Sequence, residues 1–161
     1  MNDDVASPGL AHRAMAPEWD LLADLMGGTA QMRQAGARWL PREDAESWAA
    51  WHARLNRTIL FNGLSRTVQA LAGRPFAKPV QLDGAAAELT DITQNIDGQG
   101  GTLGGVALQL LQALLVDGMV HLLLDRPRRG GPPYFVLVRA RQMLAARRDR
   151  RAAGEETSTQ Q

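Results

Sequence analysis

The most apolar stretch of the chain runs from Leu103 to Leu124, and Gln109, Gln112, Asp117 and His121 interrupt it. Gly118 follows Asp117 and divides the stretch into a helix-length half and a strand-length half. Thr102 is placed to cap a helix over residues 103–116, and Asp117-Gly118 closes it. Leu103, Val106, Leu110, Leu114 and their neighbours leave almost no polar stripe, which predicts a helix buried on most sides. Leu110 and Leu114 share a face one turn apart and are expected in the core. A membrane span is disfavoured, because it would bury all four polar groups, at roughly 2.5–3.5 kcal/mol for the aspartate alone.

Residues 119–124 and 134–138 are short apolar runs joined by Asp125-Arg126-Pro127-Arg128-Arg129-Gly130-Gly131-Pro132-Pro133. The pattern predicts a hairpin of two strands with a long, turn-rich loop. Upstream, Pro17 opens a helical pattern with Trp19, Leu22, Leu25 and Met26 on one face. A second helical piece covers residues 29–35 and ends at Gly36. Pro41 and the acids Glu43, Asp44 and Glu46 start one long helix that carries Trp48, Trp51, Leu55, Ile59, Phe61, Leu64, Val68 and Leu71, with a kink at Asn62-Gly63. Gly73, Pro75 and Pro79 end it, and residues 73–84 are expected to be extended. A short helix over residues 85–93 leads into a glycine-rich loop, 95–105. The segment 141–153 is helix-prone, and no internal repeat is present.

At 161 residues the chain has the size of one domain. It has no cysteine, which excludes a disulfide scaffold, a cysteine zinc site and a thiol nucleophile. Its four tryptophans, Trp19, Trp39, Trp48 and Trp51, all fall in the first third, which is expected to pack around these rings. The net charge of +1 hides a split: residues 1–125 hold 9 Arg/Lys against 14 Asp/Glu, and residues 126–161 hold 9 Arg against 3 Asp/Glu. A basic end of this kind suits either a polyanion or a solvated surface.

No catalytic set emerges. The loop Asp97-Gly98-Gln99-Gly100-Gly101-Thr102-Leu103-Gly104-Gly105 precedes a helix, but Leu103 occupies the third glycine position of a dinucleotide fingerprint. Gly100 and Gly105 have P-loop spacing, yet Val106-Ala107 replaces the Lys-Ser/Thr that holds phosphate and magnesium, so the loop reads as a turn. His12, His52 and His121 have no partners at helical spacing, and Asp117 and Asp125 read as a helix end and a turn start. No catalytic, cofactor-binding or metal-binding residue and no cofactor is expected. The arginines Arg139, Arg141, Arg147, Arg148, Arg150 and Arg151 face only Asp149. Arg147, Arg148, Arg150 and Arg151 form the candidate nucleic-acid contact, through phosphates rather than base stacking, since no aromatic residues interleave.

Several segments in order resemble one family. They are Leu25-Met26-Gly27-Gly28-Thr29, Met32-Arg33-Gln34-Ala35-Gly36, Trp39-Leu40-Pro41-Arg42-Glu43, Arg54-Leu55-Asn56-Arg57-Thr58, Leu60-Phe61-Asn62, Arg66-Thr67-Val68 and Gly73-Arg74-Pro75-Phe76-Ala77-Lys78-Pro79. Further on come Asn95-Ile96-Asp97-Gly98-Gln99-Gly100, Leu115-Val116-Asp117-Gly118, Leu124-Asp125-Arg126-Pro127 and Pro133-Tyr134-Phe135-Val136-Leu137. From about Trp19 to Arg147 the chain is similar to the opening of tailed-bacteriophage portal-like proteins, a group often catalogued as a domain of unknown function. The resemblance implies a subunit of the ring at one capsid vertex through which the terminase motor pumps DNA, with no hydrolysis by the ring itself. It implies other portal subunits, capsid and terminase as partners, DNA as a possible one, no membrane, and a place in the virion or the bacterial host cytoplasm. A portal would continue into the stem and clip, whereas this sequence turns to arginines and polar residues after Met143. The resemblance therefore covers a front portion only, the part that contributes to the outer wing, as either a truncated or frameshifted prophage gene or a fragment would.

The expected fold is α+β, mainly helical with a small antiparallel β element. Residues 1–16 form a flexible leader, 17–146 the portal-like wing domain, and 147–161 a basic and then polar tail expected to be disordered. The alternative to a phage head component is a stand-alone nucleic acid-binding module that uses the C-terminal arginines.

Overall fold

A computed structural model describes residues 8–84, 92–127 and 130–144. The fold is α+β, mainly helical with one two-stranded antiparallel sheet. The helices among the described residues are α1 (Leu10–Met26), α2 (Gly28–Ala35), α3 (Trp48–Arg57), α4 (Gly63–Gly73) and α5 (Leu103–Asp117). The strands are β1 (Val120–Asp125) and β2 (Tyr134–Arg139), and short 3-10 turns cover Gly36–Arg38 and Ala140–Gln142. Helix α1 packs against α2, α4 and α5, and α4 packs against α5.

The second half of the chain follows its local signals. Thr102 Oγ1 accepts the backbone N–H of Gly105 at 3.3 Å, as an N-cap does. At the other end Gly118 takes φ +72° and returns its N–H to the carbonyl of Leu114, the left-handed closure that glycine permits. The strands pair from Val120 opposite Arg139 to Asp125 opposite Tyr134.

The first half departs from expectation in three places. Helix α1 begins at Leu10, not Pro17, and carries Pro17 in its interior. The extra turns are anchored from outside: Gly9 donates to the carbonyl of Leu144, and the ring of His12 bonds the carbonyl of Arg141 and packs edge-on against Trp19. These contacts offset the hydrogen bond that proline removes. The long helix from Pro41 is two helices. α3 starts only at Trp48, capped by Ser47, whose Oγ accepts from Ala50, and residues 58–62 are non-helical. The break is stabilised at both ends. Arg33 donates twice to the carbonyl of Thr58, and Asn62 caps α4 through Ser65 while donating to the carbonyl of Leu25. The expected short helix over residues 85–93 and the helix-prone segment 141–153 lie largely outside the described residues, as does the tail 147–161.

The core is built from Trp19, Trp51, Leu55, Val68, Ala72, Ile96, Val106, Ala113, Val116 and Ala140. Helix α5 is not buried on most sides. Its inward face is Val106, Ala113, Val116 and Asp117, Leu110 is half-buried, and Leu114 is 41% exposed. Apolar residues all round a helix do not reveal which stripe the neighbours cover. Here α4, α1 and the hairpin are its neighbours, and Leu114 and Leu115 are left in solvent.

Candidate functional site

Two buried aspartates organise the molecule, and the sequence flagged neither as a centre. Asp117, the last residue of α5, has a side chain 2% exposed and receives both arms of Arg139 from the end of β2, Nε at 2.6 Å and Nη2 at 2.5 Å. Its backbone carbonyl accepts the indole N–H of Trp19 on α1 at 3.0 Å. One residue thus ties the C-terminus of α5 to a strand and to the first helix. The bidentate geometry holds the Arg139 guanidinium above its ordinary range, with the bond to Asp117 as the main cause and burial opposing it. The available signal was a carboxylate inside the most apolar stretch, since a buried charge needs a partner. Its partner could not be read from spacing.

Asp24, on α1, accepts from the indole of Trp39 at 2.7 Å and from the amide of Gln31 at 2.8 Å, with Arg38 at 3.5 Å. The Trp39 bond, then the Gln31 bond, then the charge of Arg38 hold its carboxyl below the ordinary aspartate value, against the opposing effect of burial. Trp51 likewise gives its indole N–H to the carbonyl of Leu40 at 2.8 Å, and Arg54 clasps Glu46 with both nitrogens while bonding the carbonyl of Pro41. Trp19, Trp39 and Trp51 are therefore anchors with their polar edges satisfied, whereas Trp48 is 64% exposed and rests edge-on against Trp51, so the expected ring-based packing holds for three of the four.

The glycine-rich loop is closed on itself. Asp97 Oδ1 accepts the N–H groups of Gln99 and Gly101, both at 2.8 Å, and Asn95 Oδ1 accepts that of Gly100 at 2.6 Å. These donors hold the Asp97 carboxyl below its ordinary range, first through Gln99 and then through Gly101. A phosphate cradle needs such N–H groups free and convergent, whereas here they point at the loop's own side chains. The loop instead serves the hairpin: Ile96 is buried, its carbonyl accepts the N–H of Phe135 at 2.7 Å, and Gly98, at φ +72°, lies against the ring of Tyr134.

The three histidines remain in separate settings. His12 packs edge-on against Trp19, His52 lies exposed beside Trp48 and Trp51, and His121 sits on β1. Among the described residues no group of three or more His, Asp or Glu could hold a metal ion. None of the described helices is long and apolar enough to cross a membrane. Asp125 accepts the hydroxyl of Tyr134 at 2.9 Å and the backbone N–H of Arg126 at 2.7 Å, a turn-start role.

Of the arginine series, Arg139 is taken by Asp117 and Arg141 lies 3.3 Å from Asp20. Arg147, Arg148, Arg150 and Arg151 lie outside the described residues. What the described surface does offer is apolar area. Ile59 and Phe61 stand 78% and 81% exposed in the break between α3 and α4, beside a groove of about 120 Å³ lined by Met32, Trp39, Leu40, Leu55 and Leu60. Leu122, Leu123 and Leu124 are exposed on β1, and Leu114 and Leu115 on α5. Set against known proteins, the chain matches no family model and no curated sequence.

Proposed function

We propose that this chain is a structural subunit without enzymatic activity, the front part of a phage portal protein, built to be covered by other subunits and by the remainder of a portal assembly. The observation that carries the reading is the amount of apolar side chain left in solvent at the α3–α4 break and on the α5–β1 face. Large apolar side chains grouped on one surface, unlike singly scattered ones, mark sites of association. The ordered portal-like segments of the sequence supply the kind of assembly: a ring at a capsid vertex, with capsid and terminase as neighbours, in the virion or the bacterial host cytoplasm.

The genomic neighbourhood tests this. A terminase large-subunit gene upstream, a capsid gene nearby and a stem-encoding frame directly downstream are the expected outcome, and a metabolic operon would overturn the reading. Titration of the full chain with duplex DNA tests the competing role. Negligible affinity at low salt is expected. Binding that falls steeply with salt and is abolished when Arg147, Arg148, Arg150 and Arg151 are replaced by alanine would instead make the chain a stand-alone nucleic acid-binding module.

A further inference from the structure

We propose that the outer edge of β1 pairs with the same edge of a second copy of this chain, antiparallel and two-fold symmetric, with Leu123 opposite its own counterpart and His121 opposite Asp125. This goes beyond the portal reading and does not depend on it.

Phe135 sends its N–H away from β1, to the carbonyl of Ile96 at 2.7 Å, and Arg139 sends its N–H to Gln142 Oε1 at 2.8 Å. In an antiparallel ladder, inward and outward backbone groups alternate. Phe135 and Arg139 are thus in the non-bonded pairs of the ladder, together with Leu124 and Val120 across from them, and Leu122 falls between in the same phase. The N–H and C=O groups of Val120, Leu122 and Leu124 therefore project from the free edge of β1. Among the described residues none of these outward groups makes a hydrogen bond.

The strand itself carries none of the sequence devices that blunt a free edge. Its six residues run without proline, lysine or bulge, and Leu122, Leu123 and Leu124 are 45%, 48% and 65% exposed. An open, apolar edge of this kind is a template for another strand. The side chains select the same strand as the occupant. A two-fold pairing must set outward residues against outward residues, so its axis falls on a single residue. Centred on Leu122, it places His121 opposite a leucine and Asp125 opposite Met119. Centred on His121, it places two imidazoles face to face. Centred on Leu123, it sets Leu122 against Leu124 twice in bonded pairs and His121 against Asp125 twice in the closely spaced non-bonded pairs. That register alone gives both polar side chains polar neighbours. Among the described residues the His121 side chain makes no hydrogen bond; its Nε2 is enclosed by its own chain and the ring is half-buried, so Nδ1 is the nitrogen left for a partner copy's Asp125. Asp125 is already oriented by Tyr134 and Arg126 and has acceptor capacity to spare.

The chain has no cysteine, so a single engineered one reports the register directly. The Leu123-centred pairing brings the two Leu123 Cα atoms to about 4.5 Å, within disulfide reach. We expect sedimentation of the full chain to show a concentration-dependent dimer, and mild oxidation of Leu123→Cys to give a covalent dimer much faster than that of Leu122→Cys. Leu122→Pro deletes an outward N–H that the hairpin does not use, so it should abolish the dimer while leaving the circular dichroism unchanged. A wild-type chain that stays monomeric at all concentrations overturns the proposal, as does cross-linking of Leu122→Cys at the same rate as Leu123→Cys. A dimer that survives in folded Leu122→Pro also overturns it.

Discussion

Arg139 and Asp117 are 22 residues apart in sequence and meet through two hydrogen bonds of 2.6 and 2.5 Å, the carboxylate buried and the guanidinium about one-third exposed. The two sides of this pair are unequal. Removing the arginine strands a charge in the interior, whereas removing the carboxylate leaves a cation that can turn towards water. Arg139→Ala is therefore expected to cost about 3–5 kcal/mol. Asp117→Asn, which leaves neutral acceptor and donor groups facing the guanidinium, should cost less. Denaturant unfolding of the two variants checks the order, and equal losses would show that burial of Asp117 is not what makes the pair matter.

Asp24 sets an acid limb on stability. Its folded-state carboxyl is held below the ordinary aspartate value, first by Trp39 and then by Gln31. At acidic pH the unfolded chain therefore binds the more protons, and stability rises with pH there. The contribution is fully present above the unfolded value, near 4, and is lost as pH falls through the lower folded one. Asp97 and Glu46 are lowered in the same sense and add to this limb. Asp24→Asn should flatten the fall in melting temperature below about pH 4 and lower stability at neutral pH. An acid limb unchanged in slope would place the titrating group elsewhere.

Gly118 offers a local test of the junction between α5 and β1. At φ +72° with nothing near the position of an added Cβ, it presents the backbone cost of a side chain without a clash. Gly118→Ala should cost roughly 1–2 kcal/mol, and Gly118→Asn less, since asparagine tolerates the left-handed region. At Gly98, also at φ +72°, an added Cβ would meet Tyr134 Cγ at 3.3 Å, so Gly98→Ala should cost more than Gly118→Ala. Thermal melts of the three variants give the ranking.

Local chemistry was readable where it was complete within a few residues. Thr102 and Gly118 bound α5 as their identities dictate, and the alternation of turn residues and apolar runs locates β1 and β2. It was not readable where distant groups decide. The interruption after Arg57 depends on Arg33 holding the carbonyl of Thr58, and on Asn62 serving two helices at once. The start of α1 depends on Leu144 and Arg141, more than a hundred residues away. The closure of the glycine loop was half legible: Asn95 and Asp97 are side chains that bond backbone N–H groups a few residues on, a tendency their types carry. The pairing of Asp117 with Arg139 had a signal on one side only, a charge among leucines with no indicated counterpart.

The core of α5 gives the sharpest contrast between pattern and packing. With apolar residues on all sides, Leu110 and Leu114 were expected to be buried together, yet Leu114 is 41% exposed and Leu110 only half-buried. The buried stripe carries Val106, Ala113 and Val116, and α4, α1 and the hairpin are the elements packed against the helix. Leu114→Ala should therefore change the stability of the isolated chain by no more than about 0.5 kcal/mol, as a surface substitution does. Leu55, 9% exposed on α3, lies in the core and should cost roughly 2–5 kcal/mol as Leu55→Ala. Leu110→Ala should fall between them. The same leucine can still matter in an assembly. If Leu114 is covered by another subunit, Leu114→Ala will leave the melt of a dilute sample unchanged while reducing association at high concentration. Melting curves at two concentrations separate these effects. A large loss for Leu114→Ala in dilute solution would mean that its face of α5 is packed within the chain, and would remove the main reason for reading that face as a contact surface.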